Sequence, residues 1–218
     1  MLSHPLSLRF SEALVLAADL HRYQPRKGTE IPYTSHILAV ASIALEFGAT
    51  EDEAIAALLH DAIEDAPEEL GPGEANWARR LIEYKFGPDV LAIVEANTDA
   101  EVKPKPPWPA RKAQYIAGIP RKSASTVLVS VADKLHNARA ILTDFRAVGD
   151  EVFERFNKEA GQAGTLGYYR ALVSAFQARV IALQDRRVQL LVDELDRAVG
   201  ALETAVGAKG QWPLRNLH

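Results

Sequence analysis

The stretch Leu58-Leu59-His60-Asp61-Ala62-Ile63-Glu64-Asp65 places four titratable side chains among four apolar ones. On an α-helix, which turns about 100° per residue, the four titratable groups fall within one arc of about 140°. The apolar residues occupy the rest of the helix surface and require burial. We therefore expect the polar arc to face a cleft, where charged groups need a partner. A metal cation is the simplest partner for such a set.

The composition of the chain is that of an ordinary globular protein. Its 218 residues are 48% hydrophobic and 25% charged, which allows one sizeable core. The formal net charge of -4 gives no overall attraction to nucleic acid or to an anionic membrane surface. The first residues lack the pattern of a secretion signal, and no stretch approaches the ~18 apolar residues of a membrane span. We expect a cytoplasmic protein with no nucleic-acid or membrane partner.

Helical periodicity dominates the chain and strand alternation is almost absent, so the predicted fold class is all-α. Residues 1–150 are predicted to form the core, and residues 151–218 a C-terminal helical extension of the same structural domain. Breaks are predicted at the proline-rich residues 101–109 and at the glycine-rich stretch from Gly161 to Gly167. The predicted helices are Ser11–Arg22, Thr34 to Gly48, one that opens with the capping box Thr50–Glu53 and carries His60 and Asp61, Trp77–Phe86, one beginning at Pro88, one carrying Arg111 and Lys112, Ser123–Phe145, and Tyr168–Val206 as one long helix or two joined at a kink.

Candidate metal ligands recur outside the opening stretch. The chain has no cysteine, so imidazole, carboxylate and water are the ligands left to a metal. His36 lies on the core face of its predicted helix, and Asp133 interrupts the apolar stripe of another. With His60 and Asp61 they form a set that suits Mn²⁺ or Fe²⁺ and leaves positions for water and substrate. Taken singly, His36 could equally be a hydrogen-bonded core histidine and Asp133 a capping or salt-bridged residue.

Several short motifs around these residues resemble one family, the HD-domain alarmone hydrolases, which comprise the hydrolase half of RelA/SpoT-type proteins and their stand-alone small forms. The resemblance covers about residues 10–145. The matching pieces are Arg26-Lys27-Gly28, Pro32-Tyr33 with His36, Ala57-Leu58-Leu59-His60-Asp61 with Glu64-Asp65, Phe86-Gly87 followed by Ile93-Val94, Arg111-Lys112, and Ala132-Asp133-Lys134-Leu135-His136-Asn137.

This resemblance implies an all-helical HD-domain bundle that binds Mn²⁺, or another divalent cation, through the residues matching His36, His60, Asp61 and Asp133. It also implies hydrolysis of the 3′-pyrophosphate of guanosine tetra- or pentaphosphate, which gives GDP or GTP and pyrophosphate. The expected partner is thus a nucleotide alarmone. The oligomeric state, a homodimer included, is left open.

The remaining site residues receive roles from the same chemistry. Glu64 and Asp65 are expected to orient the attacking water and relay protons. The resemblance implies that Arg26 stacks on the purine and that Lys27 pairs with phosphate. Asn137 would hydrogen-bond the ribose or a phosphate. Four further basic residues would hold the far pyrophosphate or simply form a solvated basic face: Lys103, Lys105, Arg111 and Lys112.

One departure from the family and two alternatives bear on the substrate. Ala140 stands where the bifunctional proteins carry a threonine that contacts the nucleotide, which leaves recognition of the base and ribose open. An HD phosphohydrolase that acts on another nucleotide, such as an adenine alarmone or a nucleoside monophosphate, would use the same metal ligands. A nucleotide-binding module without catalysis is the other alternative. The retained Glu64 and Asp65 argue against it, because a sensor has no need of water activation.

Overall fold

Ten α-helices and one turn of 3₁₀-helix form the regular structure of the part that the computed structural model describes, residues 6–65, 74–99, 106–155 and 160–207. The prediction of an all-α fold is confirmed. None of these helices is long and apolar enough to cross a membrane. In chain order they are α1 Leu8–Leu20, α2 Thr34–Glu46, α3 Glu51–Leu59, α4 Glu74–Phe86, α5 Pro88–Glu95, α6 Trp108–Gly118, α7 Ala124–Val148, α8 Glu151–Glu154, α9 Gly161–Leu183 and α10 Arg186–Ala205.

Helix α7 lies at the centre of the fold, where it packs against α2, α3 and α10. Its apolar side chains, among them Leu128, Val131 and Leu135, are fully buried. Burying a side chain of this size stabilises the fold by about 1.5–3 kcal/mol. Leu172 of α9 and Leu191 of α10 belong to the same hydrophobic core. The core thus includes side chains from beyond residue 150, although a domain boundary there stays a prediction.

The predicted start of α3 is confirmed, but its predicted extent is wrong. Thr50 and Glu53 form the capping box, in which each side chain accepts the backbone N–H of the other residue. The helix ends at Leu59, and residues 60–65 continue as turns. The imidazole N–H of His60 donates to the Ala57 carbonyl at 2.8 Å. An unbroken helix would give that carbonyl to the Asp61 amide, so the side chain competes with the helix at this point.

Two predicted breaks need correction. The glycine-rich stretch is helical and does not separate two elements, since α9 begins at Gly161 and runs through Gly164 and Gly167. Each glycine costs about 1 kcal/mol of helix propensity, and burial of Leu166, Leu172 and other apolar residues of α9 outweighs that cost. In the proline-rich segment, α6 already begins at Trp108. Lys103 and Lys105 lie outside the described residues.

The C-terminal helices settle the choice left open for residues 168–206. They are two helices, α9 and α10, joined at Gln184, whose φ of 54° is left-handed. Asp185 then caps α10, with its carboxylate accepting the backbone N–H of Arg187 at 2.9 Å.

The loop between α1 and α2 carries Arg26 and Lys27. It is closed by a β-bridge between Pro25 and Pro32, in which the Arg26 N–H donates to the Ile31 carbonyl at 2.8 Å. Gly28 has a φ of 70°, and a β-carbon there would lie 2.9 Å from Cγ of Arg155. The turn therefore requires glycine both for its backbone conformation and for the close approach of Arg155.

Candidate functional site

Three of the four predicted metal ligands converge at the junction of α2, α3 and α7. His36, His60 and Asp133 each offer one ligand atom, and these atoms all lie within 4.8 Å of one another. All three residues are buried. Nε2 of His36 lies 3.4 Å from Oδ1 of Asp133, and Nε2 of His60 lies 3.9 Å from the same oxygen. Such a group could hold one metal ion.

Asp61, the fourth predicted ligand, lies beside this group. Its Oδ2 is 3.0 Å from Nε2 of His60 and 3.9 Å from Nε2 of His36. The same oxygen accepts the hydroxyl hydrogen of Tyr33. Tyr33 therefore orients the Asp61 carboxylate toward the histidines. We refer to His36, His60, Asp61 and Asp133 as the His–Asp cluster.

The hydrogen bond of His60 leaves one ring nitrogen for a cation. Because a carbonyl only accepts, Nδ1 carries the hydrogen in its bond to Ala57, and a neutral ring then has its lone pair on Nε2. Nε2 is buried and has no hydrogen-bond partner among the described residues. Burial opposes the charged ring, yet Asp61 and Asp133 raise the pKa of His60 to about 9. The cluster therefore attracts a cation at this nitrogen.

A chain of contacts places the hydrogen of the His36 ring on Nδ1, as in His60. Arg26 can only donate, so its Nη1, 3.2 Å from Nδ1 of His136, makes that nitrogen an acceptor. Nδ1 of His36 lies 2.7 Å from the same atom and must therefore carry the hydrogen. Burial, helped by the neighbouring His36 and Arg26, lowers the pKa of His136 to about 4. The Nε2 lone pair of His36 is thus directed to the cluster.

Asp133 is held ionised by Lys134 of its own helix and by the two histidines of the cluster. Burial alone would raise the pKa of this carboxyl group, but Lys134 together with His36 and His60 holds it well below its usual value. Nζ of Lys134 donates to Oδ2 at 2.6 Å, and the Asn137 amide donates to Oδ1. The other end of the Asn137 amide accepts from Nη2 of Arg26 at 3.1 Å. Asn137 therefore contacts a candidate metal ligand directly, in addition to its predicted place near the nucleotide.

Glu64 and Asp65 follow Asp61 of the cluster in the turns after α3. Oδ2 of Asp65 accepts from the Gln24 amide at 2.9 Å, and that amide is oriented by the buried ring of His21, 2.6 Å away. Burial, with the nearby charges of Asp61 and Glu64, raises the pKa of Asp65. Oε2 of Glu64 accepts the backbone N–H of Asp99 at 3.3 Å. Their positions allow a role in proton transfer at the cluster, which stays a prediction.

A cavity of about 300 Å³ opens beside the cluster. We call it the basic cleft, because five cationic side chains line it: Arg26, Lys27, Lys112, Lys134 and Arg155. Asn137 and Tyr33 also line it. Arg111 does not lie among the lining residues. It pairs with Asp99 at 2.7 Å and donates to the Pro106 carbonyl at 3.2 Å. Lys112 contacts the same Asp99 oxygen at 2.6 Å while it also faces the cleft.

Several residues of the site were not assigned a role from the sequence. Tyr33 and His136 belong to the motifs that carry the resemblance, and His136 lies one helical turn after Asp133, so their spacing could have indicated them. Trp108, Tyr168 and Tyr169 form an aromatic wall of the cleft, in which Trp108 and Tyr168 meet edge to face with ring centroids 5.7 Å apart. No local pattern marks these three residues as part of a site.

Comparison with known proteins places the chain in a class. Residues 13–165 match the HD domain family, and the chain belongs to this family. The predicted resemblance is therefore confirmed. The family and the buried His/His/Asp group together imply a divalent metal site.

Individual relatives make the likeness more specific. Over 131 residues the chain is 40% identical to guanosine-3′,5′-bis(diphosphate) 3′-pyrophosphohydrolase of Xenopus tropicalis and 38% identical to that of Homo sapiens. These alignments cover 59% of this chain and 66% of each relative, slightly under two thirds of their length. Among solved structures, a metazoan SpoT orthologue that hydrolyses ppGpp is similar with a TM-score of 0.67 and 28% identity, covering 92% of this chain and 99% of that one. A protein of Listeria monocytogenes EGD-e gives a TM-score of 0.62 and 25% identity, covering 79% and 99%.

Proposed function

We propose that this chain is a metal-dependent hydrolase that removes the 3′-pyrophosphate from guanosine tetra- and pentaphosphate. The products would be GDP or GTP and pyrophosphate. The observation that carries the proposal is a buried His/His/Asp group beside a cleft that five cationic side chains line; Lys134 and Asn137 of the cleft both hydrogen-bond to Asp133. That arrangement suits a phosphate ester that carries several negative charges. Relatives with this named activity support it.

The cluster fits a resident metal ion, for which we propose Mn²⁺. The buried Nε2 of His60 has no hydrogen-bond partner among the described residues, and two carboxylates lie within 4 Å of it. His36, His60, Asp61 and Asp133 would hold the ion, and imidazole with carboxylate oxygen is a donor set that suits Mn²⁺. The ion would acidify a bound water and neutralise charge on the attacked phosphate.

The side chains around the cluster supply the rest of the chemistry. Glu64 and Asp65 would orient the attacking water, and Asp65, whose pKa burial raises, can accept the proton that the water loses. Lys134 and Lys112 would face the phosphate oxygens from the wall of the cleft. Arg26 would present the face of its guanidinium to the purine, since both of its terminal nitrogens are already held by His136 and Asn137.

One assay tests the proposal. Purified protein is incubated with Mn²⁺ and a panel of guanine and adenine nucleotides with and without a 3′-pyrophosphate, and the products are resolved by ion exchange. We expect pyrophosphate together with GDP or GTP. Turnover confined to adenine nucleotides or to nucleoside monophosphates would identify another HD phosphohydrolase. Binding of the alarmone with no product at any metal concentration would make the chain a nucleotide-binding module.

A further inference from the structure

One residue of the basic cleft has the wrong charge for a phosphate site. Asp144 of α7 is the sole carboxylate among the described residues that line the cleft. A carboxylate repels phosphate, so its presence beside Arg26, Lys27 and Arg155 needs a separate reason. Its Oδ2 accepts from Nη1 of Arg155 at 3.0 Å, and 37% of the side chain is exposed. The described contact with Arg155 uses Oδ2, so Oδ1 can accept hydrogen bonds from a ligand.

Helix α7 sets the distance from the His–Asp cluster to this carboxylate. Asp133, Asn137, Ala140 and Asp144 follow one another at intervals of three or four residues, so they share one face of the helix. At about 1.5 Å of rise per residue, Asp133 and Asp144 are separated by about 16 Å along α7. A metal-bound phosphate, a ribose and a purine laid end to end cover a comparable length. A nucleotide whose 3′ end lies at the cluster would therefore bring its base to Asp144.

The space between the two carboxylates suits a flat base. Ala140 lines the cleft and has no side-chain atom beyond its β-carbon, so it leaves room above the helix. Arg26 is held on one side by His136 and Asn137, at 3.2 and 3.1 Å. The Gly28 turn packs against the aliphatic part of Arg155, which also lines the cleft. A base that stacks on Arg26 would meet Asp144 with its edge.

We propose that Asp144 selects guanine by accepting hydrogen bonds from N1–H and N2–H of the base. The proposal rests on the proposed function, because it seats the nucleotide with its 3′ end at the cluster. A carboxylate is an acceptor only and each of its oxygens has two lone pairs, so Asp144 can accept two neighbouring donors while Oδ2 also accepts from Arg155. Adenine offers one donor at N6 and places the lone pair of N1 against the carboxylate. Arg155 contacts Oδ2 of Asp144 and also lines the cleft, where its charge would favour the phosphates of either nucleotide.

The test compares Asp144→Asn with Arg155→Met, each on paired guanine and adenine substrates. In Asp144→Asn the shape is kept, but an amide N–H now faces the donors of guanine. We expect kcat/KM on the guanine alarmone to fall at least about tenfold, while the adenine analogue changes less than about twofold. Arg155→Met should lower kcat/KM by the same factor on the guanine and the adenine substrate, so that the ratio of the two values is unchanged. Asp19→Asn, an exposed carboxylate of α1 paired with Arg22, is the matched control.

Binding of GDP and ADP to the Mn²⁺-loaded protein gives a second readout that needs no turnover. Wild-type protein should prefer GDP, and Asp144→Asn should lose most of that preference.

Two outcomes would overturn the proposal. One is a preference for GDP that Asp144→Asn leaves unchanged. The other is an equal loss of affinity for GDP and ADP in both Asp144→Asn and Arg155→Met, which would mean that Asp144 only anchors Arg155. If GDP is preferred through Asp144 but no 3′-pyrophosphate is hydrolysed, base selection stands and the proposed function fails. Hydrolysis that does not depend on Asp144 would support the proposed function and overturn base selection by this residue.

Discussion

The His–Asp cluster and the basic cleft share helix α7 but hold their side chains in different ways. In the cluster, His36, His60 and Asp133 are 2%, 3% and 9% exposed, and each is fixed by a neighbouring hydrogen bond. In the cleft, the side chains of Arg155 and Asp144 keep 27% and 37% of their surface exposed. Short buried side chains with fixed partners are preorganised for a metal, whereas long exposed ones can adapt to a ligand. Substitutions in the two regions should therefore affect different quantities.

The largest effect is expected from Asp133→Ala in the cluster. The substitution removes one metal ligand and leaves the half-buried Lys134 without its carboxylate partner at 2.6 Å. We expect near-complete loss of bound Mn²⁺ and a fall in hydrolysis of at least about a thousandfold. Metal analysis after gel filtration is the measurement. Asp133→Asn keeps the shape of the side chain and serves as the second variant. Undiminished metal content in both would remove Asp133 from the ligand set.

Glu64→Gln should separate catalysis from metal binding. Glu64 accepts the Asp99 N–H at 3.3 Å, and glutamine keeps an oxygen for that contact while losing the charge. If Glu64 orients the water, kcat should fall about a hundredfold with metal content and KM nearly unchanged. Glu83→Gln, at an exposed position of α4, is the matched control. Activity within a factor of a few of wild type would assign the role to another residue.

The raised pKa of His60 predicts that protons and metal compete at the cluster. Because Asp61 and Asp133 overcome the effect of burial and raise this pKa to about 9, the metal-free ring is charged below that pH. Its Nδ1 already binds Ala57, so the titrating proton occupies Nε2, the atom available to a metal. Apparent affinity for Mn²⁺ should rise about tenfold per pH unit from about pH 7 and level off near pH 9.

Competition with a chelator across this range measures the effect, with the chelator alone as the control for its own protonation. A flat profile would mean that His60 is neutral in the metal-free protein. Nucleotide binding in the basic cleft depends on Lys and Arg side chains, and we expect it to change far less over the same range.

The sequence predicted most of the fold because the helix ends carry local signals. The capping box at Thr50, Pro88 at the start of α5 and Ser123 before α7 are each determined by neighbouring residues. The errors arose where tertiary contacts outweigh local preference. Glycines of α9 are helical because neighbouring residues are buried, and α3 ends early because the His60 side chain takes a backbone acceptor.

The two regions of the site were predictable to different degrees. His36 and Asp133 could be found because a polar residue on an apolar helix face is unusual and needs a partner. The family resemblance then led to Arg26 and Lys27, which the structure places in the cleft. Arg155 and the aromatic wall from α6 and α9 could not be found, because they come from distant parts of the chain and follow no period. The role of Arg111 as a substrate contact stays a prediction; it does not line the cleft, and its charge gave no sign of its pairing with Asp99.

Arg26 connects the two regions, and its replacement gives the smallest effect and the sharpest test of their independence. Nη1 contacts His136, which in turn contacts His36 of the cluster, while Nη2 contacts Asn137 in the cleft. If its main role is to stack on the purine, Arg26→Ala should weaken nucleotide binding by about 1–2 kcal/mol, equally for guanine and adenine, since both bases have a π-face. Affinity for Mn²⁺ should then be nearly unchanged.

If Arg26 instead acts through the protonation of His136, metal affinity should fall about tenfold or more. His136→Phe, which removes the acceptor of the His36 N–H and leaves Arg26 its contact with Asn137, should reproduce that loss with a smaller effect on the binding of nucleotide than Arg26→Ala. Measuring both affinities in both variants distinguishes the two roles, and no change in either affinity for Arg26→Ala would exclude Arg26 from the site.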